Sequence, residues 1–88
     1  MATIGWLKAK VNHGQFPGEY VVVTSTSDGQ VISLFAPDSV VDASRNRVRV
    51  EVLDFADDSA LVYLPAQPLE ISSQTVKVPR RELELVAA

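Results

Sequence analysis

The sequence contains no cysteine, a single histidine and only four glycines in 88 residues. Without cysteine the chain has no disulfide, no thiolate nucleophile and no thiolate metal ligand. Such a composition is typical of proteins in a reducing compartment, so we expect a cytoplasmic location. His13 has no second histidine or cysteine with which to complete a zinc site, and we predict neither a metal nor a cofactor. We expect His13 to be an exposed loop residue.

Long apolar runs are also missing. No run approaches the roughly 20 apolar residues that a membrane-spanning helix needs. The opening segment, Met1–Trp6, has neither the basic part nor the long apolar part of a secretory signal. We therefore expect no signal peptide and no association with a membrane.

Basic residues are in the minority, with 8 lysines and arginines against 11 acidic residues and a formal net charge of −3. This balance disfavours non-specific binding to nucleic acid, so nucleic acid is not an expected partner. The cations are nevertheless concentrated in two segments, and we predict that they form one basic face. The face consists of Arg45, Arg47, Arg49, Lys77, Arg80 and Arg81. Alternating arginines on a strand also serve solubility and protect a sheet edge.

What the chain does contain is valine, in short alternating runs that turn residues interrupt. This pattern predicts one all-β domain over residues 1–88, a small barrel of five or six mostly antiparallel strands. The predicted strands are Thr3–Val11, Tyr20–Thr26, Val31–Phe35, Arg47–Phe55, Ala60–Leu64 and Gln74–Val78, with a short closing segment over Leu83–Val86.

Three local features are predicted inside this pattern. Asp28-Gly29 favours a type I′ turn between the second and third strands, because both central residues of that turn need a positive φ. Val48, Val50 and Val52 are expected to face the core, and the change of parity near Val52-Leu53 predicts either a β-bulge or a sharp twist. The segment Pro79–Glu82 is typical of a one-turn 3-10 helix.

The end of the chain resembles a known fold. Thr75–Val86 resembles the close of an SH3-like barrel, in which a strand meets a one-turn 3-10 helix near proline and a short last strand follows. The resemblance covers 12 residues and implies the barrel, but a fold carries no function by itself. The Tyr-rich run of peptide-binding SH3 domains is missing, so the resemblance does not extend to Pro-rich ligands.

A second resemblance gives an enzyme as the alternative. Val76–Pro79 is similar to the pore strand of type II dihydrofolate reductases, small SH3-like barrels that form tetramers. That strand reads Val-Gln-Ile-Tyr in the family. Lys77 replaces the glutamine and Pro79 replaces the tyrosine, so both ligand-contacting groups of the family are absent here.

The aromatic residues supply the interface candidates, which are Trp6, Phe16 and Tyr20. If Leu7, Ala9 and Val11 face the core, Trp6 lies on the outer face, where a large aromatic often marks an interface. A slip of register at Gly5 would instead place Trp6 in the core.

No catalytic motif accompanies these aromatic residues: the sequence has no GxSxG, P-loop, GxGxxG or HExxH pattern. The predicted function is therefore a non-catalytic interaction module that self-associates or binds a protein partner. A nucleic-acid-binding barrel is a further alternative. It would need Trp6, Phe16, Tyr20 or Tyr63 beside the basic face as stacking platforms.

Asp54, Asp57 and Asp58 lie close together in the sequence, and we expect them to form an acidic end of the folded domain. A calcium site needs six or more oxygen ligands, which this stretch does not offer. Aspartate is also a preferred turn residue, because its side chain bonds the local backbone. We therefore predict a solvated turn here.

Overall fold

The computed structural model describes residues 3–86, which contain nine short strands and three single 3-10 turns joined by loops. The strands are β1 Thr3–Lys8, β2 Lys10–His13, β3 Glu19–Ser25, β4 Val31–Pro37, β5 Val41–Asp42, β6 Arg47–Phe55, β7 Ser59–Tyr63, β8 Thr75–Pro79 and β9 Leu83–Leu85. The 3-10 turns are Asp38–Val40, Ala43–Arg45 and Arg80–Glu82. Within residues 3–86 no helix has the length and apolarity that crossing a membrane requires.

The strands form two antiparallel sheets, which confirms the predicted all-β class. The larger sheet has the order β8-β7-β6-β1-β9, with β5 paired to the beginning of β6, and the smaller sheet has the order β2-β3-β4. Among the described residues the two sheets do not close into one barrel.

The predicted first strand, Thr3–Val11, is in fact two strands that belong to different sheets. The chain leaves the larger sheet at Ala9, whose N–H donates to the backbone oxygen of Asn46 at 2.9 Å instead of to a sheet partner. Asn46 has a left-handed backbone, φ 52, which lets the chain approach Ala9 in this way. The break at Ala9 therefore sets the boundary between the sheets.

One core lies between the two sheets. Alternation along each strand points one set of side chains inward. The buried apolar residues of the core are Leu7, Ala9, Val22, Ile32, Leu34, Ala36, Val48, Val50, Val52, Ala60, Val62, Leu64, Val76 and Val78. The predicted inward orientation of Val48, Val50 and Val52 is confirmed. Each fully buried valine or leucine contributes about 1.5–3 kcal/mol through the hydrophobic effect.

The bulge in β6 lies where the parity of the sequence changes. Val52 is opposite Val62 on β7, but Asp54 is opposite Leu61, so Leu53 is the extra residue. The bulge turns Leu53 outward, where it is exposed. The predicted bulge is confirmed, and so is the 3-10 turn near the C-terminus, which carries the chain from β8 to β9.

The turn between β3 and β4 is not the predicted type I′ turn. Gly29 has φ 87, but Asp28 does not share a positive φ. The Thr26 carbonyl accepts from the N–H of Gly29 at 3.0 Å, and the Thr26 N–H donates to the carbonyl of Gln30 at 2.8 Å. This is a three-residue loop in which a left-handed glycine closes a tight turn. The reason is the Thr26 hydroxyl, which donates to the Asp28 carboxylate and accepts from the N–H of Gln30.

Candidate interaction surfaces

Trp6 lies on the outer side of β1 and is half-buried. Its neighbours across the sheet are Arg49 on β6 and Glu84 on β9. Leu7, the next residue, is fully buried in the core. Of the two orientations considered for Trp6, the structure thus has the outer one, although the ring is not freely exposed.

Arg47 covers part of the Trp6 ring, with its guanidinium carbon 4.6 Å from the ring centre. The same guanidinium is bound by Asp42, at 3.0 Å from Nε, and by Glu84, at 3.6 Å from Nη1. A hydrogen bond from Ser44 and then Arg47 itself hold the pKa of Asp42 below its ordinary value. Three contacts therefore fix the position of Arg47 beside the indole.

A recess of about 290 Å³ opens beside this pair. It is called the Trp6 recess below, and it is lined by Trp6, Lys8, Arg45, Asn46, Arg47, Arg81, Glu82 and Glu84. The recess joins an open groove of about 980 Å³, called the polar groove, which runs between β3 and the Arg80–Glu82 turn. Lys8, Asn46, Arg81 and Glu82 line both.

The predicted basic face is divided by the fold. Arg45, Arg47 and Arg81 line the Trp6 recess, and Arg49 is the cross-strand neighbour of Trp6. Lys77 lies on β8, at the far edge of the larger sheet. Arg80 lies over the Phe55 ring, 4.6 Å from its centre. The structure thus brings four of the six cations to Trp6 and places the other two elsewhere.

The three aspartates of the predicted acidic end lie at the end of β6 and in the turn between β6 and β7. The Asp54 carboxylate accepts from the N–H of Phe55 at 2.8 Å, and the Asp58 carbonyl accepts from the N–H of Arg80 at 2.9 Å. Asp57 and Asp58 line a shallow surface depression together with Arg80 and Arg81. Across residues 3–86 no three His, Cys, Asp or Glu side chains are grouped so that they would hold a metal ion.

Tyr20 and Phe16 do not gather with Trp6. Tyr20 is the cross-strand neighbour of His13, and their rings stack at 5.2 Å, so Tyr20 is half-buried. His13 is exposed, but it ends strand β2 rather than lying in a loop. Phe16 is 66% exposed in the loop before β3, beside Phe35 in a shallow recess.

An apolar surface that sequence reasoning missed covers the outer side of the smaller sheet. It consists of Val21, Val23, Val31 and Phe35, with Phe16 at its rim, and is called the apolar face below. Phe35 is 44% exposed and Val31 is 57% exposed. The apolar face could have been predicted from the consecutive apolar run Tyr20–Val23, because such a run makes both sides of a strand apolar.

The free edge of β4 is closed at its centre. The Ser33 carbonyl accepts from the N–H of Leu69 at 2.8 Å, and its N–H donates to the Glu70 carboxylate at 2.7 Å. The Ser33 hydroxyl also donates to Glu70, and these bonds lower the pKa of Glu70. Another strand therefore has no continuous edge to pair with at β4, whereas the apolar face beside it is open.

Protein-family models, curated proteins and solved structures were each compared with the chain, and none of them matches it. The functional assignment therefore depends on the two surfaces themselves. The apolar face is an exposed patch of large apolar side chains, of the kind that marks an interaction site on a small protein. The Trp6 recess is instead polar and cationic.

Proposed function

We propose that this protein is a non-catalytic interaction module that forms a homodimer through the apolar face. The observation that carries the proposal is the set of apolar side chains on the outer side of β3 and β4. The exposed Phe35 lies opposite Val21, Val23 follows on β3, and the exposed Val31 begins β4. An outer sheet face in contact with water normally carries polar side chains. Covering this face by a second sheet removes the apolar area from water, which is the main driving force of association.

The charges beside the apolar face favour a second copy as its partner. Lys10, Val23 and Ser33 form one row across β2, β3 and β4, and Glu70 is hydrogen-bonded to Ser33 at the end of that row. A two-fold axis along β3 at Val23 stacks β2 of one copy over β4 of the other. Lys10 then meets Glu70 of the other copy, twice by symmetry.

The other face-to-face arrangement is disfavoured by the same row. A two-fold axis across the strands at the level of Val23 would stack β2 on β2, and Lys10 would meet Lys10. Like charges in direct contact oppose association and select against that arrangement. The expected dimer therefore packs two small sheets with their strands running in roughly the same direction.

The size of the apolar face sets the strength of the dimer. Strands β3 and β4 have seven residues each. Strand β2 has only four residues. At about 3.4 Å per residue and 4.8 Å between strands, the three strands cover on the order of 300 Å² of sheet surface. A stable interface buries about 800 Å² on each partner. Even with Phe16 added at the rim, we expect a weak dimer whose dissociation constant is about micromolar or higher.

Sedimentation velocity over a concentration series tests the proposal with a matched pair of variants. Phe35→Thr removes the ring from the apolar face but keeps a β-forming residue. Tyr63→Thr is the control, since Tyr63 is an aromatic residue of similar exposure, 42%, on the larger sheet. Self-association of the wild type and of Tyr63→Thr, with Phe35→Thr monomeric, is the expected result. A wild type that stays monomeric at every concentration would overturn the dimer.

Two further parts of the assignment belong to the same proposal. The order of connections supports an SH3-like barrel relationship: the meander β6-β7-β8 is followed by a 3-10 turn, and β9 then pairs with β1. The absence of cysteine from the sequence supports a cytoplasmic location.

A further inference from the structure

The Trp6 recess collects positive charge in a chain whose net charge is −3. Four of the eight lysines and arginines line it, namely Lys8, Arg45, Arg47 and Arg81. Two acidic side chains, Glu82 and Glu84, share the lining. The recess is therefore cationic overall, in contrast to the molecule as a whole.

The cations of the recess differ in how far they are already neutralised. Arg47 is paired with Asp42 and Glu84. Arg81 has only a long contact of 3.9 Å with Glu82, and its side chain is exposed. Lys8 and Arg45 make no ion pair with any residue between 3 and 86. Three cations thus remain for an anion from solution, because a loose exposed pair contributes little.

The backbone places these cations before any ligand arrives. Asn46 accepts hydrogen bonds from Ala9 N–H, at 2.9 Å to its carbonyl, and from Val11 N–H, at 3.4 Å to its side chain. Because Asn46 follows Arg45 directly, this attachment brings Arg45 to Lys8 at the end of β1. The backbone that carries Lys8 and Arg45 is thus in place before binding, whereas their exposed side chains become ordered only when an anion binds.

The polar groove gives the recess a second compartment. Its walls include the hydroxyl-bearing residues Ser25, Ser27 and Ser59 and a further cation, Lys10. Hydroxyls and lysines suit the hydroxyl groups of a sugar. The volume of the polar groove, about 980 Å³, is in the range of small-molecule sites.

We propose that the Trp6 recess binds the phosphate of a small phosphate monoester, such as a sugar phosphate or mononucleotide, whose polar body lies in the polar groove. Lys8, Arg45 and Arg81 bind the phosphate oxygens through charge-assisted hydrogen bonds. Arg47 remains bound to its carboxylates and forms the wall beside Trp6. The phosphate subsite, the Trp6 recess, shares no residue with the apolar face, so phosphate binding does not depend on the proposed dimer. The polar groove does reach that surface, because Val23 and Lys10 are among its lining residues.

Trp6 is the only tryptophan, so its fluorescence reports directly on the recess. Ribose 5-phosphate is the probe, and ribose is the control without phosphate. We expect a saturable change in emission with ribose 5-phosphate and none with ribose. A second titration uses AMP as the probe and follows the amide chemical shifts of the protein. Tighter binding of AMP than of ribose 5-phosphate would identify the ligand as a nucleotide rather than a sugar phosphate.

Matched variants separate the recess from general electrostatics. The double variant Lys8→Gln/Arg45→Gln removes two exposed cations of the recess, and we expect affinity to fall by about tenfold or more. Lys77→Gln together with Arg80→Gln removes the same charge away from the recess and should leave the affinity unchanged. Circular dichroism checks the fold of each variant.

Three outcomes would overturn the phosphate site. They are the absence of a saturable response at millimolar ribose 5-phosphate, equal weakening by both double variants, and equally tight binding of a short polyglutamate peptide. If the recess variant does not fold, the binding site is located instead from the amide chemical-shift changes of the wild type during titration with ribose 5-phosphate. Changes at Lys8, Arg45 and Arg81 support the site, and changes confined to other residues contradict it.

Discussion

The proposed stacking of two small sheets makes a specific prediction for Lys10. In that arrangement Lys10 meets Glu70 of the other copy, and symmetry creates the contact twice. Lys10→Glu turns both attractions into repulsions. Exposed ion pairs are individually weak, but two reversed contacts in a weak dimer should raise the dissociation constant by about tenfold. The fold should be unaffected, because the Lys10 side chain is exposed.

Sedimentation equilibrium at several salt concentrations measures this effect. Salt screens exposed charges, so added salt should weaken the wild-type dimer and strengthen the Lys10→Glu dimer. Lys77→Glu makes the same change in net charge at the edge of the larger sheet, and it should behave as the wild type. A Lys10→Glu dimer with wild-type affinity and wild-type salt dependence would refute the arrangement, even if Phe35→Thr abolished association.

A mixing experiment makes the same test independent of net charge. Lys10→Glu and Glu70→Lys should each associate poorly alone, because each homodimer contains two like-charge contacts. A mixture should form a heterodimer, in which the introduced glutamate of one variant meets the introduced lysine of the other and the native Lys10–Glu70 contact also survives. Failure of the mixture to associate better than either variant would contradict the proposed axis.

Two further predictions concern the hairpin and the β4 edge. Gly29→Ala should cost about 1 kcal/mol in urea unfolding: the site has φ 87, and no atom lies within 4 Å of an added Cβ, so conformational strain is the only cost. The D-alanine variant should not be destabilised, and an equal loss for both would exclude this interpretation of the turn. Glu70 should titrate below its ordinary value of 4.5, and its contribution to stability, complete above that pH, should disappear as the pH falls through the lowered pKa. In NMR titration Ser33→Ala should raise the pKa of Glu70, since Ser33 supplies the principal hydrogen bond; an unchanged pKa would contradict this cause.

The β class followed from the sequence because its cause is local. Alternation along Val48, Val50 and Val52 requires one buried side of a strand, and the parity change at Leu53 requires an extra residue. The 3-10 turn after Pro79 is also local, since proline fixes φ and begins such a turn. These features need no information about which strands are neighbours.

The features that sequence reasoning missed depend on contacts between distant segments. The division of the first strand at Ala9 depends on Asn46, and the turn at Asp28-Gly29 depends on the Thr26 hydroxyl. The basic face was divided because the order β8-β7-β6-β1-β9 places Lys77 far from β1. Nothing in the alternation of one strand specifies that order.

The apolar face and the Trp6 recess make a joint prediction, because the recess lies beside the larger sheet and has no lining residue in common with the apolar face. Phe35→Thr should abolish the dimer and leave the response to ribose 5-phosphate unchanged. Lys8→Gln/Arg45→Gln should weaken that response and leave the dimer intact. Effects of distant, independent sites are additive within a few tenths of a kcal/mol, so the combined variant should show both losses and no more. A loss of ribose 5-phosphate binding in Phe35→Thr would mean that the recess is completed by the second copy, and the assignment of its phosphate ligands to one chain would then be wrong.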